Sequence, residues 1–297
     1  MGSDTQHDGH GSAVADWSRT TTRRLAHFTL DVDRLAEDMA RCDRFRFGHA
    51  YSEFICGSYK GVALCNATGD LYDNLLVDYE GPYRVTEHGR QMPYVLEMVG
   101  ENFHTEFMRF ARLGRMTPGS LVIPHRDYLE LDEEFVRIHI PLHTSDTCFS
   151  GEDDTIYQMR QGDVWFIDAT RAHSAVSFFE EDRTHLILDF ICDTVEGVLR
   201  FEPNPIPADD PFDGATVPRG GPLTDEQRSA LLGLSAVINE HNYRDVLALI
   251  GKQYFVSEMS AESVFDLACE IARIGGQAEA LEKLEWLRTH VLFKRLD

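Results

Sequence analysis

A series of strand-forming runs fills the middle of this chain. The runs "FVRIHIPLHT", "TIYQMRQGDVWFID" and "RTHLILDFICD" are rich in valine, isoleucine and aromatic residues, which favour strands. Gly162 and Asp163 divide the second run into two strand-like halves and predict a hairpin. Short connections between consecutive strands are typical of antiparallel sheets. We therefore expect an antiparallel β-core that ends near residue 195, with helices flanking it.

The chain changes character after Asp193. The segment "RFEPNPIPADDPFDGATVPRGGPLTDEQ" is dense in proline, glycine and aspartate, which predicts a linker. From Thr224 the apolar spacing becomes helical, and Gln227 three residues later completes a capping-box pattern. We predict a flexible tail over 1–22, a β-domain with N-terminal helices over 23–195, a linker over 196–223 and a helical C-terminal module over 224–297.

The overall charge and the cysteine pattern narrow the class of protein. The 297 residues carry a formal net charge of -22, which disfavours binding to nucleic acid and to anionic membrane surfaces. The 6 cysteines are scattered and form no C-x-x-C pair, as expected of reduced thiols in a cytoplasmic protein. No apolar run is long enough to span a bilayer. We expect a cytoplasmic protein whose partners are small molecules.

The stretch "SLVIPHRDYLELD" brings a histidine and an aspartate directly after an apolar run. If the strand continues, His125 and Asp127 share one face with Leu121 and Ile123. Alternatively, the two polar side chains form only a hydrogen bond at a surface turn. His173 follows another apolar run and could supply a third ligand. Two histidines and one carboxylate with open positions opposite are the arrangement of non-haem Fe(II) oxygenases.

An arginine follows His173 after a short interval. Arg183 begins the run "RTHLILDF", so on a strand it shares a face with His185, Ile187 and Asp189. A guanidinium inside the β-core is costly unless it meets an anion, and a carboxylate would bind it with two hydrogen bonds. The alternative is a surface ion pair with the neighbouring acidic residues Glu180, Glu181 or Asp182.

The run "FVRIHIPLHT" places a second set of polar residues in alternation with apolar ones. Arg137, one strand away from the proposed metal, could hold a substrate carboxylate or could form a structural ion pair. His139 and His143 could form a rival zinc site, but no convincing third ligand lies near them in the sequence.

Several of these stretches together resemble a known family. "RLGRMTPGSLVIPHRD" resembles the signature R-L-x-x-L-x-P-G-x-x-x-x-P-H-x-D of 2-oxoglutarate/Fe(II)-dependent dioxygenases of the aspartyl/asparaginyl β-hydroxylase type. "DDTIYQMRQGDVWFIDATRAHSAVSF", "RTHLILDF" and "LSAVINEHNYRDVLALIGKQYF" extend the likeness to bacterial free L-proline hydroxylases of the proline cis-3-hydroxylase type. The resemblance covers most of Leu25 to Leu292, including the helical module.

The resemblance implies a fold, a set of cofactors and roles for individual residues. The fold would be mainly β with helices: a double-stranded β-helix, the jelly roll of cupins, plus the C-terminal helical module. The cofactors would be Fe(II), 2-oxoglutarate as cosubstrate and O2. The metal ligands would be His125, Asp127 and His173. Arg183 would hold the distal carboxylate of 2-oxoglutarate. The candidates for the carboxylates of the substrate and cosubstrate are Arg112, Arg115 and Arg137.

The implied activity is hydroxylation of a free amino or imino acid, with release of succinate and CO2. Proline or pipecolate, hydroxylated at C3 or C4, is the favoured substrate. A longer free amino acid of the citrulline or arginine kind could use the same carboxylate clamp. The chain could instead be a peptidyl Asp/Asn β-hydroxylase, or a non-catalytic cupin-like binding protein. The helical module could also serve a homodimer.

Overall fold

A computed structural model describes residues 22–48, 52–129, 131, 135–153, 155–203 and 216–296. Most of the predicted tail and residues 204–215 of the predicted linker lie outside this part. The strands are β1 Arg23–His27, β2 Ile55–Cys56, β3 Tyr59–Asn66, β4 Arg84–Val85, β5 Met108–Met116, β6 Leu121–His125, β7 Val136–His143, β8 Cys148–Glu152, β9 Thr155–Tyr157, β10 Asp163–Ile167, β11 His173–Ser177 and β12 Arg183–Phe190. The helices are α1 Val32–Cys42, α2 Glu87–Arg90, α3 Pro93–Asn102, α4 Asp225–Leu232, α5 Tyr243–Gln253, α6 Ala261–Ile274 and α7 Ala278–Leu292.

The strands form two antiparallel sheets. The larger sheet has the order β1-β10-β7-β12-β5-β3-β4, and the smaller has the order β2-β6-β11-β8-β9. One cavity is lined by side chains from both sheets, so the sheets face each other as in a jelly roll. This architecture, with the helices described below, confirms the expected mainly β fold with a double-stranded β-helix core.

Helices cover the outer faces of both sheets. Along β7 and β12 the apolar residues Ile138, Leu186 and Leu188 pack into one core with α1 and α3. Leu121 and Ile123 of β6 instead share a core with α5, α6 and α7. Alternation along each strand therefore sends one set of side chains, which is apolar, outward to the helices and turns the other set, which contains the polar residues, toward the cavity. No described helix is long and apolar enough to cross a membrane.

Helix ends agree well with the sequence signals. Asp31 caps α1 by accepting a hydrogen bond from the backbone N–H of Arg34, and Thr224 and Gln227 form the predicted capping box of α4. The predicted hairpin at Gly162 is wrong. β9 pairs with β8 in the smaller sheet, whereas β10 pairs with β7 and β1 in the larger sheet. The turn at Gly162 therefore belongs to a crossover between sheets. The domain boundaries stay predictions, because the C-terminal helices pack directly on the smaller sheet.

Candidate active site

The cavity between the sheets contains one compact group of metal-binding side chains. Ligand atoms of His125, Asp127 and His173 all lie within 4.8 Å of one another, and no other such group occurs in the described part of the chain. Asp127 Oδ1 lies 3.5 Å from His125 Nε2, and its Oδ2 lies 3.8 Å from His173 Nε2. The structure thus brings together the three residues that the sequence singled out.

A β-bulge turns His125 into the cavity. In the pairing of β6 with β11, His125 lies opposite His173 but Val122 lies opposite Ala175, so β6 carries one extra residue at Ile123–Pro124. Val122 and His125 both line the cavity, while Ile123 faces the helices. The expectation that His125 shares a face with Leu121 and Ile123 is therefore wrong. Asp127 lies beyond the strand end, where its backbone N–H donates to the carbonyl of Ala169 over 2.8 Å.

Both histidines are prepared to act as neutral ligands through Nε2. His125 Nδ1 lies 2.9 Å from the carbonyl oxygen of Ile123, and His173 Nδ1 lies 3.0 Å from that of Arg171. An Nδ1–H that donates to a backbone carbonyl leaves the Nε2 lone pair for a metal. Burial lowers the pKa of His125 to about 3 and holds the pKa of His173 well below its usual value. Two neutral imidazoles and one carboxylate are a donor set that fits a divalent transition metal.

Arg137 lies beside this group and is already paired with acids. Its Nε donates to Asp189 Oδ1 over 2.7 Å, and its Nη1 donates to Asp127 Oδ2. Tyr128 also donates to Asp189 Oδ1, over 3.2 Å. Arg137 is 4% exposed and lines the cavity. Arg137 therefore forms the structural ion pair that the sequence suggests, and its position on the cavity wall keeps it a candidate for binding a substrate carboxylate.

Arg183 is held in a different manner. Its side chain is buried in the cavity wall, and it donates to His185 Nε2 over 3.0 Å, to Met116 Sδ over 3.1 Å and to Ser150 Oγ over 3.1 Å. None of these acceptors is charged, and no carboxylate of the described residues forms an ion pair with it. Burial lowers the pKa of Arg183 from its usual value. A buried cation without an acidic partner in the described structure is a candidate binding site for an anionic ligand.

The other two candidate arginines separate along β5. Arg112, Gly114 and Met116 line the cavity, so Arg112 stays a candidate for ligand binding. Arg115 points to the opposite face, where it donates to Asp43 over 2.9 Å and lines a separate surface groove. Strand alternation therefore turns the side chain of Arg115 away from His125, Asp127 and His173. This orientation contradicts the expected role of Arg115 in substrate binding.

The remaining histidines do not form a second metal site in the described part of the chain. His139 lines the cavity and packs edge-on against His185 at a centroid distance of 5.7 Å. His143 lies at the far end of β7, where its Nε2 is 2.9 Å from Glu181.

The polar cavity residues to which the sequence assigns no ligand-binding role include His185, Ser150 and Glu152. His185 could have been found from its position two residues after Arg183. The other two stand in the run "FSGEDD", where nothing distinguishes them from surface residues.

Two protein-family models match the chain. A model described as aspartyl/asparaginyl β-hydroxylase matches residues 59–192, and one described as L-proline 3-hydroxylase, C-terminal, matches residues 208–296. The L-proline cis-4-hydroxylase of Rhizobium meliloti (strain 1021) is 35% identical over 276 residues, which span 93% of this chain and 97% of the relative. The chain belongs to the L-proline hydroxylase family.

Further relatives agree with this L-proline hydroxylase assignment. L-proline cis-3-hydroxylase 1 of a Streptomyces species is 33% identical over 283 residues, which cover 91% of this chain and 94% of the relative. A solved oxidoreductase of the 2OG-Fe(II) oxygenase family from Burkholderia pseudomallei aligns with a TM-score of 0.41 and 12% identity, over 65% of this chain and 96% of its own. That likeness is too distant to add to the assignment. Membership of the L-proline hydroxylase family confirms the expectation that the chain is a dioxygenase.

Proposed function

We propose that this L-proline hydroxylase family member uses Fe(II), 2-oxoglutarate and O2 to hydroxylate free L-proline, or a close cyclic analogue such as pipecolate, at C3 or C4. The proposal rests chiefly on one observation. A His125–Asp127–His173 group shares a buried cavity with Arg183, in a chain similar along nearly its whole length to L-proline hydroxylases.

The metal would be held by the Nε2 atoms of His125 and His173 and by the carboxylate of Asp127. Bound Fe(II) supplies the oxidative chemistry that couples conversion of 2-oxoglutarate to succinate and CO2 with hydroxylation of the substrate. The protein's own contribution is to orient both ligands and to keep water out. Phe54 stacks on His125 at a centroid distance of 4.5 Å and thereby shields the ligand from one side.

The two cavity arginines suit different carboxylates. Arg183 meets only neutral acceptors among the described residues. The positive charge of its guanidinium would therefore be available to the distal carboxylate of 2-oxoglutarate. Arg137 is fixed by Asp189 and touches Asp127, so it lies directly beside the metal ligands. If Asp127 bound a metal in place of Arg137, the Nη1 group of Arg137 would be available to a ligand in the cavity. We assign Arg137, with Arg112 as its neighbour on the cavity wall, to the amino-acid carboxylate.

The lining of the cavity favours an apolar ring. Apolar side chains make up much of its wall, among them Phe54, Ile55, Val122, Ile167 and Ile187. Such a wall suits the methylene groups of an imino acid, while the arginines bind its carboxylate.

The deciding experiment is a substrate screen. Protein supplied with Fe(II) and 2-oxoglutarate is offered L-proline, D-proline, pipecolate, citrulline, arginine and an Asp-containing peptide, and succinate is measured. We expect L-proline or pipecolate to stimulate succinate release, and NMR of the product to give the position of the hydroxyl group. Stimulation by the peptide alone, or by the longer amino acids alone, would contradict the proposed substrate class.

A matched pair of histidine variants tests the metal assignment. His173→Ala should abolish substrate-stimulated succinate release and weaken binding of Fe(II) or Mn(II) by roughly 100-fold, since it removes a direct ligand. His143→Ala changes an exposed histidine that pairs with Glu181, and it should leave both measurements unchanged. Full activity of the His173 variant would remove this residue from the metal site.

A further inference from the structure

The three acceptors around Arg183 differ in strength. An imidazole nitrogen is a good hydrogen-bond acceptor, a thioether sulfur is a weak one, and a hydroxyl group can donate as well as accept. His185 Nε2 accepts the Nε–H of the guanidinium and its Nδ1 lies 3.5 Å from Nη2, while Met116 and Ser150 lie against the two terminal nitrogens. The close contact from His185 thus holds the inner edge of Arg183, and the groups around its outer fork are neutral ones that a carboxylate can displace or join.

His185 is well placed to hold the guanidinium without neutralising it. It lies two residues after Arg183 on β12, so both side chains face the cavity, and it is 4% exposed. Burial, Arg183 and His139, in that order, hold the pKa of His185 well below its usual value, so the ring is neutral. Arg137 shows the contrasting arrangement, since its Nε is held by the carboxylate of Asp189 at 2.7 Å.

We propose that His185 is a positioning residue that fixes Arg183 through an uncharged acceptor and so reserves the charge of this arginine for the second carboxylate of an oxo acid. This inference rests on the proposed use of 2-oxoglutarate, and it assigns a residue and a physical reason to the selectivity for a dicarboxylic cosubstrate. An acid at this position would form a permanent ion pair with Arg183 and would compete with the cosubstrate. A neutral acceptor cannot do so.

The test compares His185→Gln with His185→Glu. The two substituted side chains have nearly the same size and differ mainly in charge. Binding is measured as the thermal shift that 2-oxoglutarate, or the unreactive analogue N-oxalylglycine, produces in Mn(II)-loaded protein. We expect His185→Gln to stay within roughly fivefold of the unsubstituted affinity. We expect His185→Glu to bind roughly 10- to 100-fold more weakly, because a charged competitor replaces a neutral acceptor. Mn(II) affinity should be unchanged in both variants.

The melting temperature of each variant distinguishes a positioning role of His185 from a role in packing alone. An ion pair between the introduced Glu and Arg183 should leave His185→Glu at least as stable as His185→Gln, although it binds the oxo acid more weakly. Equal weakening in both variants, or full affinity in His185→Glu, would overturn the role of His185. If the unsubstituted protein binds N-oxalylglycine but does not hydroxylate an amino acid, the proposed substrate fails while the His185 comparison still stands. If the unsubstituted protein binds no oxo acid, both proposals fail.

Discussion

Arg183 and Arg115 lie on neighbouring strands of one sheet but have different surroundings. Arg183 faces the cavity and meets only neutral acceptors among the described residues, whereas Arg115 pairs with Asp43 on the other face. Arg183→Leu should therefore raise the KM for 2-oxoglutarate by roughly 100-fold, since charged hydrogen bonds to its carboxylate are lost. Arg115→Leu should change this KM by less than roughly twofold. Steady-state kinetics at saturating Fe(II) make the comparison.

Binding of iron provides the control for these two variants. Neither arginine supplies a metal ligand, so titration with Fe(II) or Mn(II) should give the unsubstituted affinity in both cases. An unchanged KM in Arg183→Leu would reduce this residue to a structural element of the cavity wall. A large effect in Arg115→Leu would restore it as a candidate for substrate binding, against its observed orientation.

Glu152 is a buried acid whose ionisation works against folding. Burial raises its pKa to about 7 from an ordinary value of 4.5, and the hydrogen bond from Thr22 offsets part of this rise. A folded pKa above the unfolded one means that the folded state binds more protons between these values. The protonated carboxyl group of Glu152 therefore stabilises the folded state fully below about pH 4.5, and this stabilisation is lost as the pH rises through about 7. The full change corresponds to roughly 3 kcal/mol.

Glu152→Gln should remove this pH dependence. Urea unfolding of metal-free protein would be compared for the variant and the unsubstituted chain between pH 5 and 7.5. We expect the stability of the variant relative to the unsubstituted chain to increase across this range. Asp153→Asn, which removes a half-exposed carboxylate next to Arg171, is the matched control and should not reproduce the trend. A stability difference that is independent of pH would refute this account of Glu152.

At the scale of elements, the sequence predicted strands and helices better than it predicted their surroundings. Periodicity located α1, α3, β7 and β12, and the alternation along β12 correctly grouped Arg183 with Asp189. It did not reveal the extra residue at Ile123–Pro124, because a bulge depends on how β6 pairs with β11. It also misassigned the turn at Gly162, since a glycine turn can either close a hairpin or lead into another sheet.

The sequence also could not decide which of the two candidate arginines on β5 faces the cavity. A single strand offers two faces, and the chain around Arg112 and Arg115 does not say which face meets the cavity. That choice is fixed by β12 and β3, the neighbours of β5, which lie far from it in sequence. The grouping of His125, Asp127 and His173 could be predicted because their chemical types and spacing restrict the possible arrangements more strongly than position on a strand does.

The docking of α5 on β6 depends on a glycine. A Cβ atom at Gly251 would lie 2.6 Å from Leu121 Cδ2, and Leu121 is fully buried. Gly251→Ala should therefore destabilise the protein by about 1–3 kcal/mol through overpacking, although alanine is the better helix former. Gly100 in α3 has no atom within 4 Å of such a Cβ, and Gly100→Ala should stabilise by about 0.5–1 kcal/mol. Urea unfolding of both variants measures whether each substitution lowers or raises the free energy of unfolding.

A stabilising effect of Gly251→Ala would mean that α5 can move away from β6 at little cost. The two variants control for each other, because both replace a helical glycine by alanine. Only the surroundings of the two glycines differ.

At the scale of the whole molecule, direct contacts join the C-terminal helices to the candidate metal site. The backbone N–H of Arg126, between His125 and Asp127, donates to the carbonyl of Val291 over 2.9 Å. Arg295 donates to the carbonyl of Arg126 over 2.7 Å and lies over the ring of Phe54, which stacks on His125. The C-terminal helices thus form part of the wall behind His125 and Asp127.

These contacts predict that the β-core and the helical module unfold together. In a variant with Trp17→Phe and Trp286→Phe, fluorescence reports on Trp165, which is buried in β10, while circular dichroism at 222 nm reports chiefly on the helices. Because Leu121, Ile123 and Val176 of the smaller sheet share one apolar core with α5, α6 and α7, the two signals should give the same urea midpoint. Mn(II) should shift both midpoints by the same amount, since it binds only the folded site. Loss of the helical signal at a lower urea concentration, with the fluorescence of Trp165 unchanged, would show that the module is an independent unit and that its contacts behind His125 are not needed to hold the β-core together.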